Sequence, residues 1–91
     1  MTDRKEALGS LRKALALLAV RMTGDPDHGI HIHAGEQLAR MRMELEGPHL
    51  SPIRERGWVD IGLMAAKELE AVDPEFANAL MDADYDFKHT E

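Results

Sequence analysis

Asp73-Pro74-Glu75-Phe76-Ala77-Asn78-Ala79-Leu80 is the stretch whose reading decides the fold of this chain. An aspartate accepts a hydrogen bond from a free N–H of the first helical turn. Proline suits the position after it, because its missing N–H would have gone unpaired there and its fixed φ is helical. From that opening Phe76, Leu80, Ala83 and Phe87 recur at steps of three and four. Such steps line one face of a helix. The spacing predicts a helix over 74–88.

The same punctuation stands at Asp25-Pro26 and Ser51-Pro52. Together with the chain start, the three pairs divide the sequence into four helices at 3–23, 26–46, 52–72 and 74–88. In the first, Asp3 and Glu6 have capping-box spacing, and Leu8, Leu11, Leu15, Leu18 and Met22 form one stripe. Gly24 falls where a left-handed C-terminal cap is expected. The second carries Ile30, Ala34, Leu38, Met41 and Leu45 and stops before Gly47-Pro48. The third carries Ile53, Gly57, Ile61, Ala65, Leu69 and Val72, with Met64 beside Ala65. Gly57 and Gly62 each cost a helix interior about 1 kcal/mol relative to alanine, so a break near Gly57-Trp58 fits the pattern. No alternating strand pattern lasts four residues except Ile30-His31-Ile32-His33. Short connections favour antiparallel neighbours. The expectation is an all-α, up-down bundle of about four helices, forming one domain over 1–91.

A chain of 91 residues buries too little surface for a large core, and self-association is a common remedy. Two features point that way. Leu17 and Val20 lie far from the main stripe of the first helix, and Ile32, Gly35, Ala39 and Met43 form a second seam on the next. These six residues are the predicted interface of a homodimer or higher oligomer.

The formal net charge is −6. That argues against a non-specific grip on nucleic acid, which needs clustered Lys and Arg. Residues 1–59 hold nine Lys/Arg against eight Asp/Glu, whereas residues 60–91 hold Lys67 and Lys88 against nine acids. The acidic last third is a solvated face or a docking surface for a basic partner. There is no cysteine, which suits a reducing cytoplasm. The longest apolar run, Ala14 to Val20, is too short to cross a membrane, and no small-residue cleavage site follows it.

The local cluster suggestive of chemistry is His28, His31 and His33. Imidazoles bind zinc, nickel or copper. In a helix His28 and His31 share a side and His33 faces elsewhere. The candidate metal pair is therefore His28 and His31, completed by Asp27 or a partner subunit, with His33 the weaker member. Arg40, Arg42, Arg54 and Arg56 bracket the junction between the second and third helices. The expectation there is pairing with Glu44, Glu46, Glu55 and the acidic fourth helix. No HExxH, glycine-rich phosphate loop or spaced nucleophile set occurs. An Asp25-Pro26 corner would suit a helix-turn-helix, but the acidic start of its second helix would be repelled by phosphate. The sequence therefore reads as a small non-enzymatic interaction protein, self-associating and docking on another protein through its acidic C-terminal part or its apolar seams. The alternative is a metal- or ligand-binding protein using His28 and His31 at a subunit boundary.

Overall fold

The computed structural model describes residues 2–91. Among them are four α-helices: α1 (Arg4–Gly24), α2 (Gly29–Glu46), α3 (Ile61–Glu68) and α4 (Pro74–His89), with a single 3-10 turn at Ile53–Glu55. Side-chain contacts fix their directions. Arg21 near the end of α1 meets Asp73 and Glu75 at the start of α4, while Ser10 meets Asp86. Arg4 reaches the Gly47 carbonyl past the end of α2. The start of α3 meets Asp84 late in α4. Neighbouring helices are therefore antiparallel, and α4 closes back on α1. None of the described helices is long and apolar enough to cross a membrane.

The core follows the predicted stripes in three helices. Leu11 and Leu18 of α1 are buried, as are Ile30, Ala34, Leu38, Met41 and Leu45 of α2 and Phe76, Leu80, Ala83 and Phe87 of α4. Leu8, Leu15 and Met22 pack on this core from half-buried positions. Two caps also hold. The Asp3 carboxylate accepts the Glu6 N–H at 2.7 Å, and Asp73 accepts that of Phe76 with Pro74 following.

The other two cap-proline pairs do something else. Helix α1 runs on to Gly24, so the reversal into α2 is confined to residues 25–28. Asp25 closes α1, its N–H donating to the Arg21 carbonyl at 3.0 Å. Its own carbonyl accepts the His28 N–H, which makes Asp25–His28 a turn with Pro26 at its second position. Aspartate first and proline second also suit such a turn, so the pair was ambiguous. The cap passes to His28, whose Nδ1 accepts the Ile30 N–H at 3.3 Å, and α2 starts at Gly29 instead of residue 26. The left-handed cap expected at Gly24 is absent, since no described glycine has positive φ.

The predicted helix over 52–72 is replaced by the 3-10 turn, a loop and the eight-residue α3. Ser51 makes no cap, and Ile53 and Val72 are exposed instead of buried. The cause is Arg56, which is 3% exposed. Its Nε donates to the Ser51 carbonyl at 2.7 Å, and its Nη1 donates to the carbonyls of Phe87 and Thr90 at 2.7 and 2.5 Å. A guanidinium turned inward in this way cannot sit on the surface of a continuous helix. The chain breaks there, at Gly57-Trp58, and the Trp58 ring packs edge-on against Phe87 at 5.5 Å.

Helix α3 is held from outside. The residue at its N-terminal cap position, Asp60, makes no side-chain cap bond. The Gln37 Oε1 of α2 accepts the N–H groups of Asp60 and Ile61 at 3.1 and 3.0 Å. The Asp84 carboxylate of α4 accepts that of Gly62 at 2.8 Å. Gly62 is required by that approach: a Cβ there would lie 2.8 Å from the Asp84 side chain.

Candidate functional site

Two faces of the bundle combine exposed or half-open apolar side chains with charged ones. The first is built from α3, α4 and the 3-10 turn. Glu75, Asn78, Asp82, Tyr85 and His89 step along the exposed side of α4. The Tyr85 and His89 rings stack at 4.0 Å, fixed by a 2.7 Å contact between His89 Nδ1 and the Tyr85 carbonyl. Beside them Leu63 and Tyr85 are each 60% exposed, and Ile53 is also solvent-facing. Two shallow hollows of about 300 and 320 Å³ share Lys88 and His89 as their common wall. Lys88 reaches Asp84 at 2.9 Å, so the acid capping α3 is also neutralised from its own helix.

The second face lies between α1 and α2. A groove of about 220 Å³ runs over Leu8, Leu11 and Leu15, with Arg12, Arg42 and Glu46 at its edges. Helix α1 carries Arg4, Lys5, Arg12, Lys13 and Arg21 against Glu6 alone, whereas α4 carries Glu75, Asp82, Asp84 and Asp86 against Lys88. The two helices thus have opposite charge. Where they pack, Arg21 makes a two-pronged contact with Asp73 at 2.8 and 3.0 Å and reaches Glu75 at 3.1 Å. The guanidinium's hydrogen bonds hold the Asp73 carboxyl below its usual range against a smaller desolvation effect. The same partners raise Arg21.

The histidines are placed apart from one another in role. His28 is the α2 cap. His31 is buried, with Nδ1 2.9 Å from the Asp25 carbonyl and its ring edge against Phe76. The two rings lie 5.0 Å apart, and each spends its Nδ1 on the backbone. No group of three or more His, Asp or Glu that could hold a metal ion occurs among the described residues. His33 stands apart, its Nε2 2.7 Å from Asp60 Oδ1. That contact, chief among several, lowers the Asp60 carboxyl.

Of the predicted interface, Val20, Ile32 and Met43 are exposed, as is Ala39. Leu17 is half-buried and packs against the core. Gly35 faces inward, where a Cβ would touch Leu18 at 3.7 Å. It belongs to the α1–α2 contact within the chain. The arginines pair locally as expected in three cases: Arg40 with Glu44 at 3.8 Å, Arg42 with Glu46 at 2.8 Å and Arg54 with Glu55 at 3.9 Å. Arg40 also lies over the Trp58 ring at 3.8 Å. Arg56 is the exception, because its partners are carbonyls and burial lowers its pKa. Sequence reasoning missed Gln37 and Asp84 as structural caps, since each serves a helix that is distant along the chain.

A family model described as Tsi6 matches residues 6–89. The chain belongs to the Tsi6 family. The match starts in the first turn of α1 and ends at the last residue of α4, so the whole ring of helices is the Tsi6 unit. Comparison with the curated proteins and with the solved structures gives no match.

Proposed function

We propose that this chain is an immunity-type protein: a small helical binder that holds a cognate toxic protein inactive by docking on it. The observation that carries this reading is membership of the Tsi6 family across nearly the whole chain. The face of α3, α4 and the 3-10 turn supports it as the docking surface. Tyr85 offers an exposed aromatic anchor of the kind that dominates binding energy, and Leu63 and Ile53 supply exposed apolar surface beside it. Asp82 and Glu75 on the same side of α4 favour a basic partner and hasten encounter.

Capture with the tagged chain from its native host, followed by expression of the captured protein in a foreign host, tests the reading. A protein that arrests growth alone and is harmless with this chain is the expected result. A captured protein without toxicity, or toxicity that this chain leaves unchanged, removes the immunity reading. Tyr85→Ala together with Leu63→Ala is expected to weaken the complex by roughly a hundredfold, the range of a central anchor pair. The exposed Val20, Ile32 and Met43 support a self-associated free form. Light scattering that returns a 10.2 kDa particle at high concentration removes that part.

A further inference from the structure

On the opposite side of the molecule, the outer stripe of α1 reads Lys5, Leu8, Arg12, Leu15, at steps of three and four. Cation and leucine alternate along one line of the helix. Leu8 and Leu15 are half-buried and Leu11 is buried, so the groove between α1 and α2 has an apolar floor that remains partly open. The rim is basic. Arg42 is held by Glu46 at 2.8 Å, which fixes its guanidinium beside the groove and uses up the one acid there. Arg12 is exposed and makes no ion pair or side-chain hydrogen bond among the described residues, and neither do Lys5 and Lys13. On a protein with net charge −6, this is a localised basic strip over leucines.

From this juxtaposition we infer that the α1–α2 groove is a second docking site, and that its occupant is an acidic, leucine-bearing segment of another protein. Apolar side chains of the segment would enter over Leu8 and Leu15, and its carboxylates would meet Arg12 and, on the same stripe, Lys5. An amphipathic segment laid in a groove is a recurrent recognition mode, read by anchors three and four residues apart. Arg12, free of an internal partner, gives up no existing contact on binding, and its planar fork suits a carboxylate. The inference rests on the reading that this protein works by binding another, and it adds the chemistry of the bound segment.

The test uses the full chain labelled with nitrogen-15 and a short amidated peptide of leucine, alanine and glutamate, with leucines three and four positions apart. Its counterpart with lysine for glutamate is the control. The expected result is chemical-shift change confined to Leu8, Arg12, Leu15, Arg42 and their neighbours, with the acidic peptide alone. Arg12→Glu is expected to weaken that binding roughly tenfold, and added salt to weaken it further. Arg12 is exposed, so the variant keeps its fold, and an unchanged thermal melt verifies this. Leu15→Gln, at the floor, gives an independent loss. Silence of the groove toward the acidic peptide, equal binding of the basic peptide, or shifts on α3 and α4 would overturn the inference. So would tighter binding to vesicles of phosphatidylglycerol than to the peptide, since that would make the strip a lipid contact. The titration needs no identified toxin. A silent groove therefore leaves neutralisation standing, and failed neutralisation leaves the groove result intact.

Discussion

Helices α1 and α2 are held mainly by what they bury, whereas α3 and its approach are held by polar atoms that neighbours supply. Between α1 and α2 the contact is a seam of leucine, alanine and glycine, with Gly35 against Leu18. One long hydrogen bond at 3.5 Å, from Arg4 to Gly47, is the polar link there. Around α3, Gln37, Asp84 and Arg56 make seven hydrogen bonds to main-chain groups of other elements or of the adjoining loop. The difference follows from length. Helices of 21 and 18 residues bury enough stripe to persist once packed. A helix of eight residues is too short to be stable alone and depends on its surroundings.

This contrast can be broken at either side. Leu38→Ala in the seam is expected to have the largest effect, a loss of about 3 kcal/mol in chemical denaturation, because it removes fully buried methyl groups and leaves a cavity. It should lower the stability of the whole bundle, with amide protection falling in all helices. Arg56→Ala comes next. It leaves the Ser51, Phe87 and Thr90 carbonyls without this donor, at a cost of about 2–3 kcal/mol. Hydrogen exchange should quicken first at residues 51–60 and at the end of α4, while α1–α2 remains protected. Equal loss of protection in both halves would show that they are not separable.

Asp84→Ala is expected to cost about 1–2 kcal/mol, as loss of a buried cap. The Gly62 amide, which donates to Asp84 at 2.8 Å, should be the most accelerated in exchange. Gly62→Ala should destabilise by a similar amount through overpacking against the same carboxylate.

The smallest effect is acid sensitivity. Asp73 and Asp60 are both lowered in the folded protein. A group whose carboxyl is depressed on folding adds stability above its unfolded pKa, about 3.9, and loses it as the pH falls through the lower folded value. Asp73→Asn is therefore expected to flatten the fall in thermal midpoint below about pH 4 and to reduce stability at neutral pH. An unchanged acid limb would mean that the Arg21 contact contributes nothing measurable, as many exposed ion pairs do.

The same contrast explains what was legible in the sequence. Leu38, Met41, Phe76 and Leu80 declare themselves because the period of a helix is local, and burial obeys it. The acidic last third was visible as a count, but the unpaired α1 cations were not, because residues 1–59 balance overall. Asp25-Pro26 misled because one pair of residues serves equally to open a helix or to turn the chain. Arg56 was read as pairing with acids like its neighbours, since nothing local shows that the Phe87 and Thr90 carbonyls lie near it. Gln37 and Asp84 were unreadable as caps for the same reason: their partners lie 24 and 22 positions away. Tyr85 stands on the exposed side of α4, and its stack with His89 emerges only from the helix geometry.

Thr2 and Thr90 form an isolated parallel bridge, which joins the approach to α1 to the exit from α4. Both strands of backbone thus depart from a single pole of a body 35 Å long. A donor dye attached beyond one threonine and an acceptor beyond the other would sit side by side in the native molecule and separate widely when the ring opens. Energy transfer between them would then time the opening of the closure between the first and last helices, molecule by molecule, without touching either face proposed for docking.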